Sequence, residues 1–311
     1  FCNVDRDAVI QSIDVSSIYE VPISMQKEGL DKIVLRKLAL TNDKKANLKK
    51  WKKFLTELKK PEIEITIGLV GKYVELKDAY KSISEAIIHA GANNSCKVHI
   101  DWIHAEEINK NNVAKRLKKL NGVIVAPGFG DRGIEGKITS IKFIRENDIP
   151  FFGICLGMQS AVIEYSRNIL GLKDANSREM NPKTTAPVID LMHEQQKITK
   201  KGGTMRLGAY DCYLKKGSNA YHAYKKNNIS ERHRHRFEFN NKYKKDLENA
   251  GFVATGFNKK NNLVEVVEIP NHPWFVGVQF HPEFKSTVDN PHPLFCGFIQ
   301  ACINNKTIVK K

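Results

Sequence analysis

The sequence predicts an α/β protein with a doubly wound, mostly parallel sheet that is flanked by helices and carries a small antiparallel annex. The first observation is a regular alternation of apolar strand-like and helix-like segments from residue 63 onwards, which is typical of a parallel sheet with helices on both faces. The second is that these strand-like segments are short and apolar, as expected for strands buried on both sides. The third is the composition, 41% hydrophobic and 27% charged residues, which is typical of a folded globular chain.

A lysine-rich segment precedes the alternation. Residues 42–62 carry apolar side chains, among them Leu48, Trp51 and Leu55, at helical spacing, so we predict an amphipathic linker helix that ends before Pro61. The α/β domain then covers residues 63–311. Because the sequence opens on Phe1 and lacks the layout of a signal peptide, we expect it to be part of a longer chain.

The predicted elements of this domain follow in order. Strands and helices alternate as strand 63–70, helix 78–91, strand 97–102, helix 113–120, strand 122–126, helix 134–147, strand 149–154 and helix 156–170. Later strand-like segments are less regularly spaced, and we predict that they form the annex and returning edge strands. They are residues 205–214, 234–240, 252–258, 263–269 and 274–280, and a closing helix covers 293–304.

The charge and the cysteines narrow the class of protein. The net charge is +16, but the lysines are spread along the chain, so we interpret them as a basic surface and expect no nucleic-acid partner. No apolar run reaches the ~18–20 residues of a membrane-spanning helix. The six cysteines contain no C-x-x-C pair or zinc-like spacing. We therefore expect neither disulfides nor a metal site, and a reducing, cytoplasmic compartment.

A cysteine at a predicted strand–helix junction is the most specific feature. In Gly153-Ile154-Cys155-Leu156-Gly157, small residues two before and two after the cysteine allow the strained turn of a nucleophile elbow. The helix that begins at Leu156 directs its positive end at the sulfur and favours the thiolate. We predict that Cys155 is a nucleophile, and we interpret the other five cysteines as small buried hydrophobic residues.

A histidine near the end of the chain is the candidate base. His281 follows an apolar strand in His281-Pro282-Glu283, and proline prevents the sheet from continuing. If the backbone stays extended, Glu283 lies on the same side as His281 and can orient the imidazole. A surface turn is the alternative interpretation of this motif by itself. Its combination with the cysteine elbow favours a Cys-His-Glu triad.

A glycine-rich loop supplies the third element. The segment from Pro127 to Gly133 follows a predicted strand, and its backbone N–H groups, with that of Leu156, could form an oxyanion hole. A dinucleotide or phosphate site is the alternative. It is disfavoured because G-F-G-D-R-G-I-E-G matches neither fingerprint.

Together these motifs resemble the class I glutamine amidotransferases. The resemblance extends to the CTP synthase family through four further segments and through the opening residues of the chain. They are 71–76, 78–82, 202–208 and 231–237, with 1–4 and 18–22 similar to the end of that family's synthase domain. It implies that residues 1–41 are a remnant of the synthase domain and that 63–311 form a glutaminase domain, which feeds ammonia to an ATP-dependent amination of UTP.

The resemblance also implies roles for individual residues. Cys155 would be the nucleophile, His281 the general acid/base and Glu283 its partner. The glutamine pocket would be lined by Gly128, Phe129, Leu156, Gln159, Glu179 and Arg236. Because free glutamine is a zwitterion, the last two can also be argued from charge, although either could be an ordinary exposed residue. Arg206 would contact the activator GTP.

Cofactors and partners follow from the same resemblance. No cofactor or metal is expected in this chain, whereas ATP, Mg²⁺ and GTP are implied for the full-length enzyme. The implied partners are L-glutamine, the synthase domain of the same polypeptide and further copies in a homotetramer. A related cysteine γ-glutamyl hydrolase and a non-catalytic GTP-binding or assembly module remain as alternatives.

The chain departs from the family pattern at one position. The family has P-G-G-F-G where this sequence has Ala126-Pro127-Gly128-Phe129-Gly130, so Pro127 replaces the first of two glycines. Proline has no N–H to donate. We therefore expect the amide of Gly128 or of a neighbour, with that of Leu156, to bind the oxyanion.

Overall fold

The computed structural model describes residues 3–40, 46–191 and 205–309, and side chains up to residue 306. The predicted linker residues 42–45 and the loop residues 202–204 lie outside this range. No helix within it is long and apolar enough to cross a membrane.

Twelve strands form two sheets within the described residues. They are β1 Ile63–Gly71, β2 Cys96–His104, β3 Gly122–Val125, β4 Phe151–Ile154, β5 Ala175–Ser177, β6 Ala186–Leu191, β7 Arg206–Leu214, β8 Asn228–His235, β9 Phe237–Phe239, β10 Val253–Asn258, β11 Leu263–Glu268 and β12 Phe275–Val278. Nine of them make one sheet in the order β2-β1-β3-β4-β12-β11-β10-β7-β8, and β5-β6-β9 make a second.

Ten α-helices accompany these strands in the described part of the chain. They are α1 Val21–Lys27, α2 Leu30–Lys37, α3 Lys49–Lys59, α4 Lys81–Asn93, α5 Val113–Leu117, α6 Ile134–Glu146, α7 Leu156–Asn168, α8 Asn219–Tyr224, α9 Lys244–Asn249 and α10 Pro293–Val309.

The large sheet is parallel on one side of β12 and antiparallel on the other. From β2 to β12 neighbouring strands are parallel, and from β12 to β8 they are antiparallel. A core on one face includes residues of α5, α6 and α7, and a second core on the other face includes residues of α4, α8 and α10. The predicted doubly wound fold is confirmed, and most antiparallel strands extend the same sheet.

Several elements differ from the prediction. The linker helix α3 begins at Lys49, and the predicted strand 234–240 is two strands, β8 and β9, separated at Arg236. Six further elements carry no recognised signal in the sequence: α1, α2, α8, α9, β5 and β6. Each of these has eight residues or fewer, which is too short for a hydrophobic period to be recognised.

The segment before the α/β domain contacts it through aromatic side chains. Among residues 3–40 none is buried, and Ile18 is 77% exposed. The Trp51 Nε1–H of α3 donates to Tyr19 O at 2.6 Å, and the Tyr19 ring lies 4.9 Å from that of Phe54. The Tyr19 hydroxyl donates to Glu85 of α4. The division at residues 41 and 62 stays a prediction.

Candidate active site

Cys155 lies at a strained junction between a strand and a helix. Its backbone has φ 52° and ψ −103° between β4 and α7, a conformation that is unfavourable for a residue with a Cβ. The Cys155 N–H donates to Val278 O at 2.7 Å, which ties the turn to the end of β12. The cysteine that the sequence singled out therefore has the predicted elbow geometry.

The two flanking glycines allow this turn because the backbone packs too closely for a side chain. A Cβ on Gly153 would lie 2.8 Å from the carbonyl carbon of Gly157. A Cβ on Gly157 would lie 2.1 Å from Val125 O in β3. Both distances are far shorter than a van der Waals contact, so the elbow requires glycine on each side.

His281 and Glu283 form a buried pair beside this turn. His281 Nδ1 and Glu283 Oε1 are 2.7 Å apart, and the His281 N–H donates to Arg232 O at 2.8 Å. The backbone is not extended here, because residues Pro282–Lys285 form a 3-10 turn that brings Glu283 back to the imidazole. The predicted pairing is present, but the extended backbone proposed for it is wrong.

The charge state of His281 depends on its neighbours. Burial by itself lowers the pKa of His281, but interactions with Cys155 and with the Glu283 carboxylate raise it to about 10. The Nε2 atom makes no hydrogen bond of regular geometry within the described residues. The site therefore favours an imidazolium at His281 as long as the Cys155 sulfur is a thiolate. The proton on Nε2 can then be transferred to a bound substrate.

Two buried glutamines connect the sulfur to the pocket wall. The Gln279 amide donates to Cys155 Sγ at 3.7 Å, and Gln159 donates to Gln279 Oε1 at 3.1 Å. Gln159 also donates to Phe237 O at 3.0 Å. These contacts join α7, β9 and the end of β12 around the nucleophile.

Cys155 and most residues predicted for the glutamine pocket line one pocket with a volume of about 190 Å³, whereas His281 and Glu283 are not part of its lining. Its lining consists of Gly128, Phe129, Cys155, Gln159, Glu179, Met205, His235, Arg236 and Phe237. Every residue predicted for the glutamine pocket except Leu156 is in this set. The Leu156 side chain is packed in the core, so only its backbone amide, at the start of α7, is suited to a role there. Their roles stay predictions.

The two charged residues of the lining have the opposite signs that a zwitterion requires. Glu179 Oε1 accepts a hydrogen bond from Gly130 N–H at 2.8 Å, so the glycine loop positions this carboxylate. Arg236 lies between β8 and β9 and lines the same pocket. One group can bind the ammonium and the other the carboxylate of a free amino acid.

Arg206 lies in a buried cluster of ionisable side chains. Its Nη1 is 2.7 Å from Glu265 Oε1 and 3.4 Å from Glu238 Oε1, and its side chain is 2% exposed. Burial raises the pKa of Glu265 to about 7, although Arg206 opposes the shift. This cluster accounts for the charge of Arg206 without a nucleotide. The predicted contact with GTP stays a prediction.

Some residues of the site were missed in the sequence. They are Met205, which directly precedes β7, His235 at the end of β8 and Phe237 at the start of β9. Gln279 stands two residues before His281, on the strand end that the motif marks, and this closeness was the available signal. Within the described residues, no group of three or more His, Cys, Asp or Glu side chains is arranged to hold a metal ion.

Comparison with known proteins identifies the family. The family model for "Glutamine amidotransferase class-I" matches residues 75–301, and the model for "CTP synthase N-terminus" matches residues 1–40. The first match covers most of the chain and includes the whole pocket. The chain belongs to the class I glutamine amidotransferases. The predicted family is confirmed.

This amidotransferase is similar over nearly its whole length to CTP synthases. It is 60% identical over 304 residues to that of Flavobacterium johnsoniae, covering 98% of this chain and 57% of the relative. It is 59% identical over 301 residues to that of Christiangramia forsetii, covering 97% and 55%. The chain thus spans little more than half the length of these relatives.

A solved structure also resembles this amidotransferase. The glutaminase domain of a Trypanosoma brucei CTPS with bound acivicin matches with a TM-score of 0.73 and 38% identity. The match covers 77% of this chain and 94% of the trypanosomal one. The shared fold accordingly includes almost all of that glutaminase domain.

Proposed function

We propose that the chain hydrolyses L-glutamine to glutamate and ammonia through a glutamyl thioester on Cys155. The observation that carries this proposal is the arrangement of a cysteine elbow, a buried His281–Glu283 pair and a pocket lined by one carboxylate and one guanidinium. Membership of the class I glutamine amidotransferases supports it.

The first half of the reaction uses the imidazolium. The Cys155 thiolate attacks the carboxamide carbon of glutamine, and the amides of Leu156 and Gly128 stabilise the oxyanion. When the C–N bond breaks, His281 Nε2 gives its proton to the leaving NH₂ group, which departs as ammonia. Glu283 keeps the ring oriented through Nδ1.

The second half uses the neutral imidazole. Cys155 carries no charge once it is part of a thioester, so an interaction that raises the pKa of His281 is lost. The imidazole can then accept a proton from water as the water attacks the thioester carbon. The collapse of this intermediate releases glutamate and restores the thiolate and the imidazolium.

For the longer enzyme we propose that the ammonia aminates UTP to CTP. The similarity to CTP synthases at about 60% identity supports this. ATP with Mg²⁺, activation by GTP at Arg206, a homotetramer and a cytoplasmic location belong to the same proposal. The five described cysteines are all unpaired, which agrees with a reducing compartment. We expect the 311-residue chain by itself to form no CTP from UTP, ATP and ammonia.

Substitution of the nucleophile and base tests the glutaminase. Cys155→Ala and His281→Ala should abolish ammonia release, whereas Glu283→Ala should be milder because that carboxylate only orients the base. Ammonia is measured with a coupled glutamate dehydrogenase assay. Near-native turnover by Cys155→Ala would exclude the covalent mechanism.

Labelling of the cysteines provides a matched control. A glutamine-like chloroketone should modify Cys155 alone among the six cysteines, as read by peptide mass spectrometry. Cys296→Ala, which removes a partly buried cysteine on α10 away from the pocket, should leave both labelling and turnover unchanged.

Hydrolysis of another γ-glutamyl compound faster than glutamine would favour a γ-glutamyl hydrolase instead.

A further inference from the structure

Two buried lysines lie beneath the glycine loop and have no part in the proposed chemistry. Lys137 of α6 is 0% exposed and Lys72, which follows β1, is 2% exposed. Burial lowers the pKa of Lys137 to about 7, and the nearby charge of Lys72 adds to this shift. Two like charges taken out of water side by side are costly, so their contacts need an explanation.

Lys137 contacts the start of the loop. Its Nζ donates to Ala126 O at 2.6 Å, and this is the one hydrogen bond that its ammonium makes within the described residues. The Ala126 N–H donates to Val70 O at 3.0 Å. The residue before Pro127 is therefore fixed at both its N–H and its carbonyl.

Lys72 contacts the far end of the loop. Its Nζ donates to Phe129 O and, at 3.2 Å, to Gly130 O. The Gly130 N–H donates to Glu179 Oε1 at 2.8 Å. The peptide between Phe129 and Gly130 is thus held at both ends, its oxygen by Lys72 and its N–H by Glu179, and cannot rotate without losing both contacts.

Only Pro127 and Gly128 lie between these two fixed points. Gly128 lines the pocket and makes no hydrogen bond with the rest of the described residues. Its N–H is available to a ligand. A short loop that is fixed on both sides leaves the peptide between Pro127 and Gly128 few alternative orientations.

We propose that Lys137 and Lys72 are positioning residues that hold the glycine loop with the Gly128 N–H directed into the pocket before glutamine binds. The oxyanion donor is then preformed, so no reorganisation is needed when charge develops. This inference rests on the proposed glutaminase activity. It also explains how a loop with proline in place of its first glycine can supply a donor.

Lys137→Met tests the proposal, with Lys142→Met as the matched control. Lys142 lies on the same helix, but its side chain is 46% exposed. We expect kcat for glutamine to fall about tenfold to a hundredfold in Lys137→Met, with KM within about twofold. The urea midpoint should stay equal or rise, because an apolar residue replaces a buried charge. A purely structural lysine would lose stability together with activity.

Amide exchange provides a readout that does not depend on activity. Hydrogen–deuterium exchange of a peptide covering residues 122–133 should be faster in Lys137→Met than in Lys142→Met. If the unsubstituted chain releases no ammonia, the proposed function fails while this measurement still tests the positioning. Unchanged exchange together with kcat within twofold of the control would overturn the proposal.

Alkylation separates loop positioning from an effect on the sulfur. Lys137 is close enough to Cys155 for their charges to interact, so the rate of iodoacetamide alkylation is measured against pH. Because the two charges interact, we expect Lys137→Met to be alkylated more slowly than the control, but by a smaller factor than the fall in kcat. A slowing of alkylation equal to the fall in kcat would overturn the proposal. If Lys137→Met does not fold, Lys72→Met provides the second test. The same fall in kcat is expected, and the same results would contradict the proposal.

Discussion

At the scale of single residues, the proposed chemistry depends on how the pKa of His281 responds to the charge of Cys155. Burial and the two neighbours act on the imidazole in opposite directions, and the neighbours prevail while the sulfur is charged. A single histidine can therefore act first as an acid and then as a base. This change of role requires no movement of the ring, because formation of the thioester removes the negative charge of Cys155, which stabilises the imidazolium.

This leads to a prediction for Cys155→Ala, which mimics the uncharged sulfur of the thioester. In the unsubstituted protein His281 should stay protonated up to about pH 9, since its pKa is about 10. In Cys155→Ala the pKa should fall by at least about one unit. The titration is followed by NMR of histidine labelled at Cε1. The His222 signal, from an exposed ring on α8, is the internal control, and equal His281 values in both proteins would contradict the mechanism.

At the scale of elements, the loop and the elbow use their glycines for different reasons. Gly157 permits close packing against β3, whereas a Cβ on Gly128 would lie 3.4 Å from Leu156 Cδ2, an ordinary contact. Steric contacts therefore exclude a side chain at Gly157 but hardly restrict one at Gly128.

We predict that Gly157→Ala and Gly128→Ala separate folding from catalysis. Gly157→Ala should lower the free energy of unfolding by about 3 kcal/mol or more, because its methyl group would collide with a carbonyl oxygen. Gly128→Ala should fold normally and lower kcat more than it raises KM, by disturbing a donor. Urea denaturation and steady-state kinetics measure the two effects. Equal stability losses in both variants would contradict this assignment.

Pro127→Gly tests whether the loop is already complete. The substitution restores the family pattern and adds an N–H, but a loop that presents the Gly128 amide correctly has nothing to gain. We expect kcat to stay within about threefold. A rise of tenfold or more, about 1.4 kcal/mol of transition-state stabilisation, would show that the proline leaves the oxyanion hole incomplete.

Local sequence signals explain which parts of this site could be foreseen. The glycines around Cys155 and the proline after His281 constrain the backbone directly, so the elbow and the His281–Glu283 pair could be predicted from a few residues. His235 and Met205 carry no such local signal, because they reach the pocket only through strand pairing across the sheet. The 3-10 turn at Pro282 was missed since the same residues also fit an extended backbone.

At the scale of the whole molecule, buried charges join the antiparallel strands to the site. Arg206 of β7, Glu238 of β9 and Glu265 of β11 form ion pairs, and His233 Nδ1 of β8 lies 2.8 Å from His235 Nε2. Burial lowers the pKa of His235 to about 3 and raises that of Glu238. The histidines are therefore neutral, and two carboxyl groups share one arginine.

Glu265→Gln should change how stability depends on pH. The folded-state pKa of Glu265 is raised from 4.5 to about 7, so between these values the folded chain binds more protons than the unfolded one. The stability of the unsubstituted protein relative to Glu265→Gln should therefore fall as pH rises from about 4.5 to 7, by up to about 1.4 kcal/mol per pH unit. Urea denaturation across this range measures it. Glu248→Gln on the surface of α9 is the control. If the unfolding free energy of Glu265→Gln varied with pH in parallel with that of the unsubstituted protein, the raised pKa of Glu265 would be refuted.

The sequence was informative about the sheet as a whole and less so about its order. Alternating apolar segments predicted parallel strands covered on both faces, which the two cores confirm. β11 pairs with β12 after a short connection, but the position of β12 beside β4 depends on a pairing between residues more than 100 apart along the chain. No local pattern encodes such pairings, because strands of similar composition could exchange places at little local cost.

The pairing of β4 with β12 brings the two parts of the candidate active site together from distant positions in the chain. Ile154, at the end of β4, is aligned with Val278, at the end of β12. Cys155 follows the first strand end and His281 the second, and 124 residues of chain separate Ile154 from Val278. Contacts of such long sequence separation are slow to form, because the entropy lost on closing a long loop opposes them. We therefore expect the proposed reactive centre to form late in folding, when β12 pairs with β4.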